Sequence, residues 1–251
     1  MSGTTRHAYE VLAPRYDELT AANDYESWFS MLLPELGRRG LRRGRALDVG
    51  CGTGRAFEPL LAREWAVCGV DASPAMLEQA RRKFGDRVTL ATADARELPV
   101  YGEFELVISL NDVLGYCTED GDLKRVLAGM RANLADGGRI CFDLGTLWLF
   151  RAYLTGGDSE WMGDPRLHWR SLGGTAEPGT IFESEVFGEG LATHVHRERH
   201  WTREDVMEAI DAAGLECLGE IGHNEVEGKI VFSQTPDEER DHRVIYVAGA
   251  A

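Results

Sequence analysis

The chain is short of positive charge. Its 251 residues carry 27 Lys and Arg against 42 Asp and Glu, a formal net charge of −15 at pH 7. Proteins that grip nucleic acid displace phosphate counterions with clustered Lys and Arg, so this balance disfavours nucleic acid and large acidic acceptors. The best candidate for a hidden basic patch, residues 38–45, reads as a solvated helix end and the loop before the first strand. Cysteine is sparse as well: Cys51, Cys68, Cys117, Cys141 and Cys217 form no Cys-x-x-Cys pair. That spacing offers neither a disulfide framework nor a zinc site, and suits buried thiols in a reducing, cytoplasmic compartment. No run approaches the roughly 18 apolar residues of a membrane span, and residues 1–7 hold no apolar leader core. No membrane partner and no metal are therefore expected.

Nor is there an internal repeat or a low-complexity tract. Residues 6–38 read as helices broken at Pro14 and around Asn23, with Val11, Leu12, Leu19, Trp28, Phe29 and Leu32 as apolar positions. From residue 45 short apolar runs alternate with amphipathic stretches. Strands are expected at 46–49, 66–70, 88–91, 104–110 and 139–144, with helices at 55–63, from Ser73-Pro74, and at 119–134. Ser73 supplies a cap oxygen and Pro74 fits the first helical position. This rhythm implies a parallel sheet covered on both faces. Residues 163–200 break it with Gly-rich, alternating segments at 180–187 and 191–200, the pattern of a small antiparallel insertion. Thr202 and Asp205 form a capping box for the next helix, and 215–221 and 244–247 read as closing strands around an acidic loop at 236–241.

The informative segment is 47–54, where Gly50, Gly52 and Gly54 alternate between a strand and a helix. Glycines there let the backbone turn sharply and approach a ligand. A dinucleotide fingerprint would need glycine at the position of Arg55, and no Gly-Lys-Ser/Thr phosphate loop is present. Asp71 directly follows the second strand, where a carboxylate can take two hydrogen bonds from a ribose diol. Asp94 follows the third strand, within reach of an adenine amino group. All three elements fall at the carboxyl ends of adjacent strands, where open α/β sheets bind ligands.

The run 47–54, then Gly69-Val70-Asp71-Ala72-Ser73-Pro74-Ala75-Met76-Leu77, then Ala93-Asp94-Ala95, resembles the class I methyltransferases that use S-adenosylmethionine (SAM). The similarity extends through 104–114 and 134–138 and covers residues 40–145 and the closing strands. It implies an α/β, Rossmann-like, doubly wound and mostly parallel seven-stranded sheet with N-terminal lid helices and a small antiparallel β insertion. The expected division is a lid at 1–40, a SAM-binding domain at 41–150 and 201–251, and an insertion at 151–200 over the acceptor. By the same resemblance Gly50 and Gly52 would line the methionine part of SAM, with Asp48 near its ammonium. Asp71 would hold the ribose, Met76 would pack on the adenine, and Asp94 with Ala95 would read its edge. Leu110 and Asn111 would close over the methionine end. Core packing is an equal alternative for Met76 and Leu110.

The pattern Tyr16-Asp17-Glu18-Leu19 followed by Asp24-Tyr25-Glu26-Ser27-Trp28 resembles the lid helix of small-molecule members, including amino-sugar N,N-dimethyltransferases of antibiotic pathways and glycine N-methyltransferase. It points to Tyr9, Tyr16 and Trp28 around the SAM carboxylate or the acceptor, against a plain role in fixing the N-terminal helices. Methyl transfer is an in-line displacement, and an amine or hydroxyl acceptor must lose a proton. The segment after the fourth strand, residues 110–116, lacks Asn-Pro-Pro-Tyr, which argues against the amide and base methylation that uses it. Asp112 is a candidate acceptor contact or a cap of the next turn. His194, His196 and His200 share a strand face by period-two counting; they read first as plain exposed or cross-strand histidines, with a metal site or a general base near the acceptor as alternatives, and His196 and His200 are the preferred pair for the last. Trp161, Trp169 and Trp201 would line an acceptor site or anchor the insertion. The expected activity is SAM-dependent methyl transfer to a nitrogen or oxygen of a small molecule, nitrogen slightly ahead, releasing S-adenosylhomocysteine (SAH). A tRNA or protein acceptor, and SAM binding without transfer, are the alternatives. The insertion either covers the site or forms a homodimer contact.

Overall fold

The computed structural model describes residues 9–21, 23–38, 40–41, 43–155, 159–161, 164–188, 191–226 and 229–251. Five strands open the main sheet: β1 (Arg45–Val49), β2 (Ala66–Asp71), β3 (Val88–Thr92), β4 (Phe104–Ser109) and β5 (Leu134–Gly145). Each link is a helical crossover, with helices at Glu58–Ala62, Pro74–Phe84 and Asp122–Ala132 among them. Ser73 caps the second of these, its hydroxyl accepting from Met76 N at 3.3 Å. β1 lies between β2 and β4, parallel to both, so the carboxyl ends of β1, β2 and β4 open on the same edge.

After β5 and a helix at Leu147–Thr155 comes the insertion: β6 (Ser159–Trp161), β7 (Asp164–Ser171), β8 (Ile181–Gly188) and β9 (Leu191–Arg199), a separate antiparallel sheet in that order. The helix Arg203–Ala212 then leads to β10 (Leu215–Val226), β11 (Lys229–Ser233) and β12 (Arg243–Ala250). Thr202 and Asp205 complete the capping box of that helix. Among the described residues the main sheet has the order β3-β2-β1-β4-β5-β12-β10-β11 and eight strands, not seven. The extra one is β11, which pairs antiparallel with an extended β10, Val226 facing Lys229. It is an edge strand of five residues with exposed Val231, so its apolar signal is weaker than that of a strand covered on both faces.

Alternation along the strands divides the core. Val49, Val107, Ile140, Phe142 and Tyr246 meet the helices Asp122–Ala132 and Arg203–Ala212 through Val126, Met130, Val206 and Ile210. Ala46, Leu106, Ile108, Cys141 and Ile245 meet the helix Tyr25–Arg38 through Phe29, Leu32 and Leu36, and the helix Pro74–Phe84 through Leu77 and Ala80. Leu147–Thr155 is a helix that covers one face of the antiparallel sheet through Phe150, Tyr153 and Leu154 against Phe182, Ala176 and Trp169. Among the described residues no helix is long and apolar enough to cross a membrane.

Candidate functional site

The glycine turn is fixed by β2. Gly50 N and Cys51 N both donate to Val70 O, at 2.8 and 3.0 Å. Gly52 N donates to Asp71 Oδ2 and Ser73 N to Asp71 Oδ1, each at 2.8 Å. Gly50 sits at φ +79°, and a Cβ there would stand 2.3 Å from Val113 Cγ1. Glycine is required at that position. Asp71 is buried at the edge of an open cleft of about 580 Å³ whose wall also includes Tyr9, Tyr16, Gly50, Gly52, Arg55, Met76, Leu110, Asn111 and Tyr116. Burial raises its carboxyl above the ordinary range, opposed by the N–H groups of Ser73, Gly52 and Ala72. A carboxylate has about four acceptor positions, so these three backbone N–H groups still leave capacity for a ligand. A smaller recess of about 360 Å³ continues past Asp71 to Ala93, Asp94 and Ala95.

Residues 9–21 and Asn23 close the cleft from above. Arg55 Nη1 donates to Thr20 O and, at 2.8 Å, to Thr20 Oγ1; Arg55 Nη2 reaches Asn23 O at 3.2 Å. Asp17 accepts from Thr53 Oγ1 and, at 2.6 Å, from Lys83 Nζ. Tyr9 Oη donates to Tyr116 Oη at 2.9 Å. Thus Arg55, which spoils the dinucleotide fingerprint, is the tether of the segment that covers the turn.

A second cavity lies beyond, sharing Tyr9, Tyr16, Asn111 and Tyr116 with the first. Its remaining wall comes from the insertion and β12: Tyr153, Trp169, Val186, His196, Glu198 and Arg243, with Thr20 and Asp112. Between the cavities the chain turns through Asn111 at φ 73° and Asp112 at φ 59°, both left-handed, a conformation that Asn and Asp adopt more readily than other non-glycine residues. Asp143 of β5 holds that turn, accepting from Asn111 N at 2.6 Å and Asp112 N at 3.0 Å. Arg243 Nη1 bonds Asp143 at 3.1 Å and stands 3.8 Å from Asp112.

A family model described as a methyltransferase domain matches residues 46–138. Residues 46–138 are a methyltransferase domain. A Geobacillus sp. (strain WCH70) protein ascribed to the methyltransferases is 32% identical over 142 residues, 54% of this chain and 57% of that one. The dTDP-4-amino-2,3,4,6-tetradeoxy-D-glucose N,N-dimethyltransferase of Saccharopolyspora spinosa is 35% identical over 92 residues, 37% of this chain and 36% of its own. The chain thus spans from about a third to somewhat over half of these relatives' length. A SAM-dependent methyltransferase from Clostridium acetobutylicum ATCC 824 superposes with a TM-score of 0.77 over 97% of this chain and 99% of that one, at 23% identity. The fold is that of the SAM-dependent methyltransferases.

The methyltransferase domain brings most of the expected SAM residues to one cleft. Gly50, Gly52, Asp71, Met76, Leu110, Asn111 and Tyr16 line it, and Ala95 lines the recess. Asp48 is buried beneath the turn, and neither carboxylate oxygen has a hydrogen-bond partner among the described residues. Burial, then Asp71, pushes its carboxyl well above the ordinary range. Asp48 lies on the wall of neither cavity, behind a turn whose Gly50 and Gly52 carry no Cβ; an orphaned carboxylate there fits a ligand that brings an ammonium group to the turn. Asp94 is less free than expected: Arg96 Nε and Nη2 bond its carboxylate at 3.0 and 2.6 Å. Against the cost of burial, Arg96 holds that carboxyl well below the usual range. Trp28 departs from expectation. It is buried with its ring centroid 4.7 Å from that of His223, in the core under the helix Tyr25–Arg38, outside both cavity walls.

The acceptor-side candidates separate. Tyr9, Tyr16, Asp112 and His196 line the second cavity. Burial, then Asp71, pushes the Tyr16 hydroxyl up to about 12, and burial, then His194, pushes His196 down to about 4, leaving it neutral at pH 7. His200 does not line the cavity: it is buried against Phe150, with Nδ1 accepting from Gly179 N at 3.3 Å and Nε2 3.2 Å from Glu238. It follows the last residue of β9, and Gly179 and Glu238 take it away from the site. Trp169 reaches the cavity, whereas Trp201 is core, its Nε1 donating to Leu114 O at 3.3 Å. The side chain of Trp161 lies outside the described residues.

Sequence reasoning missed Tyr116, Asp143, Tyr153, Glu198 and Arg243. The period-two count that joins His194, His196 and His200 also runs through Glu198, and Asp143 interrupts an otherwise apolar strand. Both were signals of a side chain facing polar company.

Proposed function

We propose that this chain transfers the methyl group of SAM to a small molecule, to nitrogen ahead of oxygen. The observation that carries the reading is the sharing of Tyr9, Tyr16, Asn111 and Tyr116 between the glycine-turn cleft and a second cavity roofed by the insertion. Two ligands placed there would meet at those four residues.

Bound in the first cleft, SAM would supply an electrophilic methyl carbon on a cationic sulfur. Asp48 would answer its ammonium group, Asp71 its ribose hydroxyls, and Met76 and Ala95 its adenine. Leu110 and Asn111 would bound the methionine end, held in place by Asp143. Lid residues 9–21 and Asn23 would exclude water by roofing the cleft, and Arg55 fixes them there through Thr20 and Asn23. Tyr9 and Tyr16 position the acceptor from the lid side. Both hydroxyls stay protonated at neutral pH because burial opposes their ionisation, so they orient by hydrogen bonding and do not act as bases.

The acidic balance supports a small acceptor over tRNA, and the Saccharopolyspora relative supports nitrogen. We extend the proposal to the division into lid 1–40, SAM domain 41–150 with 201–251, and insertion 151–200, and to a reducing cytoplasmic setting that free cysteines suit. Calorimetric titration with SAM and SAH tests the reading. Micromolar binding by the wild type that Asp71→Asn weakens at least roughly 10-fold is expected, from the loss of charge-assisted bonds. Failure of the wild type to bind either ligand would remove the proposal.

A further inference from the structure

The second cavity carries an inference that rests on the methyltransferase reading and narrows it. We propose that this cavity is a cation site in which Glu198 of β9 receives the ammonium group of an amine acceptor and takes its proton.

Four charged groups surround the cavity: Asp112, Glu198 and Arg243 on its wall, and Asp143 directly behind Arg243. One guanidinium faces three carboxylates. Arg243 is committed to Asp143 at 3.1 Å, and Asp112 is turned into the backbone, its Oδ1 accepting from Gly145 N at 3.1 Å. Glu198 is the carboxylate left to the cavity, whose wall it shares with Tyr116. With Arg243 committed to Asp143, an anionic acceptor would meet the Glu198 carboxyl, whereas a cation would pair with it.

The rest of the wall points the same way. Tyr9, Tyr16, Tyr116, Tyr153 and Trp169 surround the same space. Aromatic faces attract ammonium groups, most strongly where water is excluded. Aromatic faces with one carboxylate make a receptor for an amine and a poor one for a carboxylic acid or a phosphate.

Tyr116 ties Glu198 to the lid. Its hydroxyl has one hydrogen and two lone pairs. Tyr9 Oη donates to it at 2.9 Å and His196 Nδ1 lies 3.0 Å away. The tautomer of neutral His196 decides whether Nδ1 accepts from Tyr116 or donates to it; in the donating tautomer both lone pairs are filled and the Tyr116 hydrogen is left for the Glu198 side of the cavity. The network then ends on Glu198 as its acceptor. Tyr9, Tyr116, His196, Tyr153, Asp112 and Arg243 are the titratable or charged groups that face Glu198. Burial raises the Glu198 carboxyl above the ordinary glutamate range, while Tyr116 and Arg243 draw it down. A carboxyl with a raised pKa is a better proton acceptor than a free one.

The balance is simple. The acceptor N–H bond breaks, its proton goes to a Glu198 oxygen, and the electron pair stays on nitrogen. The nitrogen forms the new bond to the methyl carbon while the carbon–sulfur pair returns to sulfur. The product is again an ammonium ion, and Glu198 returns its proton to solvent as product leaves.

The test is titration of the enzyme–SAH complex with benzylamine, benzyl alcohol and benzoate, using wild type, Glu198→Gln and His200→Ala. Benzylamine should bind at least roughly 10-fold tighter than the alcohol, the scale of a charge-assisted hydrogen bond, with benzoate weakest. Glu198→Gln should bring the amine to the level of the alcohol and leave SAH affinity unchanged; His200→Ala should keep the preference. For benzylamine methylated by the wild type, Glu198→Gln should remove the acid limb of the kcat/KM profile, which a purely structural loss would not do. Equal or reversed preference in the wild type, binding of none of the three, or a preference that survives Glu198→Gln would overturn the cation site while SAH binding stands. Loss of SAH binding by the wild type itself would instead sink the methyltransferase reading.

Discussion

Gly50 and Gly52 are two residues apart, line the same cleft and both have positive φ, yet alanine at each should fail in a different way. At Gly50 the φ of +79° strains an L residue, and the new Cβ would lie 2.3 and 2.8 Å from the two methyl carbons of Val113. Val113 is β-branched and starts a helical turn whose Leu114 and Gly115 are buried, so it has little room to retreat. Backbone strain costs about 1–2 kcal/mol and overpacking about 1–3 kcal/mol, together about 2–5 kcal/mol. For a chain of this size that lowers Tm by about 4–20 °C. At Gly52 the φ is +52° and the nearest foreign atom to a Cβ is Tyr16 Cε1 at 3.9 Å. Only the strain remains, about 1–2 kcal/mol and about 2–8 °C. The methyl group, however, stands in the cleft where the cofactor would approach the backbone. Gly52→Ala should therefore weaken SAH at least about 10-fold, near 1.4 kcal/mol, while remaining the more stable of the two variants. Thermal melts with and without SAH, together with calorimetry, separate the effects. Gly52→Ala binding SAH as the wild type does would refute the placement of the ligand, and an unchanged Tm for Gly50→Ala would refute the packing argument.

Asp48→Asn should stabilise the ligand-free protein at neutral pH by about 1–3 kcal/mol, because a buried carboxylate without partners is replaced by a neutral group. The folded pKa of Asp48 is raised, so wild-type stability is fullest below the unfolded value near pH 4 and declines as pH rises toward the folded one. The variant's advantage should therefore grow from pH 4 to pH 7 in urea melts, and a constant advantage contradicts the assignment. Arg55→Ala removes donors to Thr20 and Asn23, and should speed proteolysis within residues 16–23 and weaken SAH roughly 10- to 100-fold; unchanged proteolysis would mean the lid is held by other contacts. His200→Ala should leave kcat/KM within about 2-fold of wild type, the error of such comparisons, at a stability cost of about 1–3 kcal/mol from the groups it leaves unpaired. Thr202→Ala should cost about 0.5–2 kcal/mol through loss of the capping box, with turnover at saturating SAM unaltered.

What the sequence disclosed and what it hid divide along a physical line. The glycine turn, Asp71 and Ser73 act through bonds between neighbours in the chain or across one parallel pair, so a strand–turn–helix pattern places them without knowing the whole sheet. The second cavity has no such local rule. Arg243 reaches Asp143 because β12 lies antiparallel against β5, with Arg243 opposite Gly145 and Ile245 opposite Asp143. That pairing joins residues a hundred positions apart. Glu198 reaches Tyr116 because β9 of one sheet runs past the turn that follows β4 of the other, a relation that no periodicity within either segment encodes.

Alternation could still say which residues share a face of β9, and it did so for His194 and His196, which are both buried. Where along that face the site begins and ends is decided by what lies across from it. Tyr116 stands opposite His196, so His196 is at the site. Phe150 and Glu238 stand opposite His200, so His200 is a fastening of the insertion. The same count passes through Glu198 between them, a charged residue where a buried face should be apolar. A charge set in a run of half-buried alternating positions implies a partner from elsewhere in the fold or a ligand, and at Glu198 the cavity offers both: the Tyr116 hydroxyl on one side and room for an amine on the other.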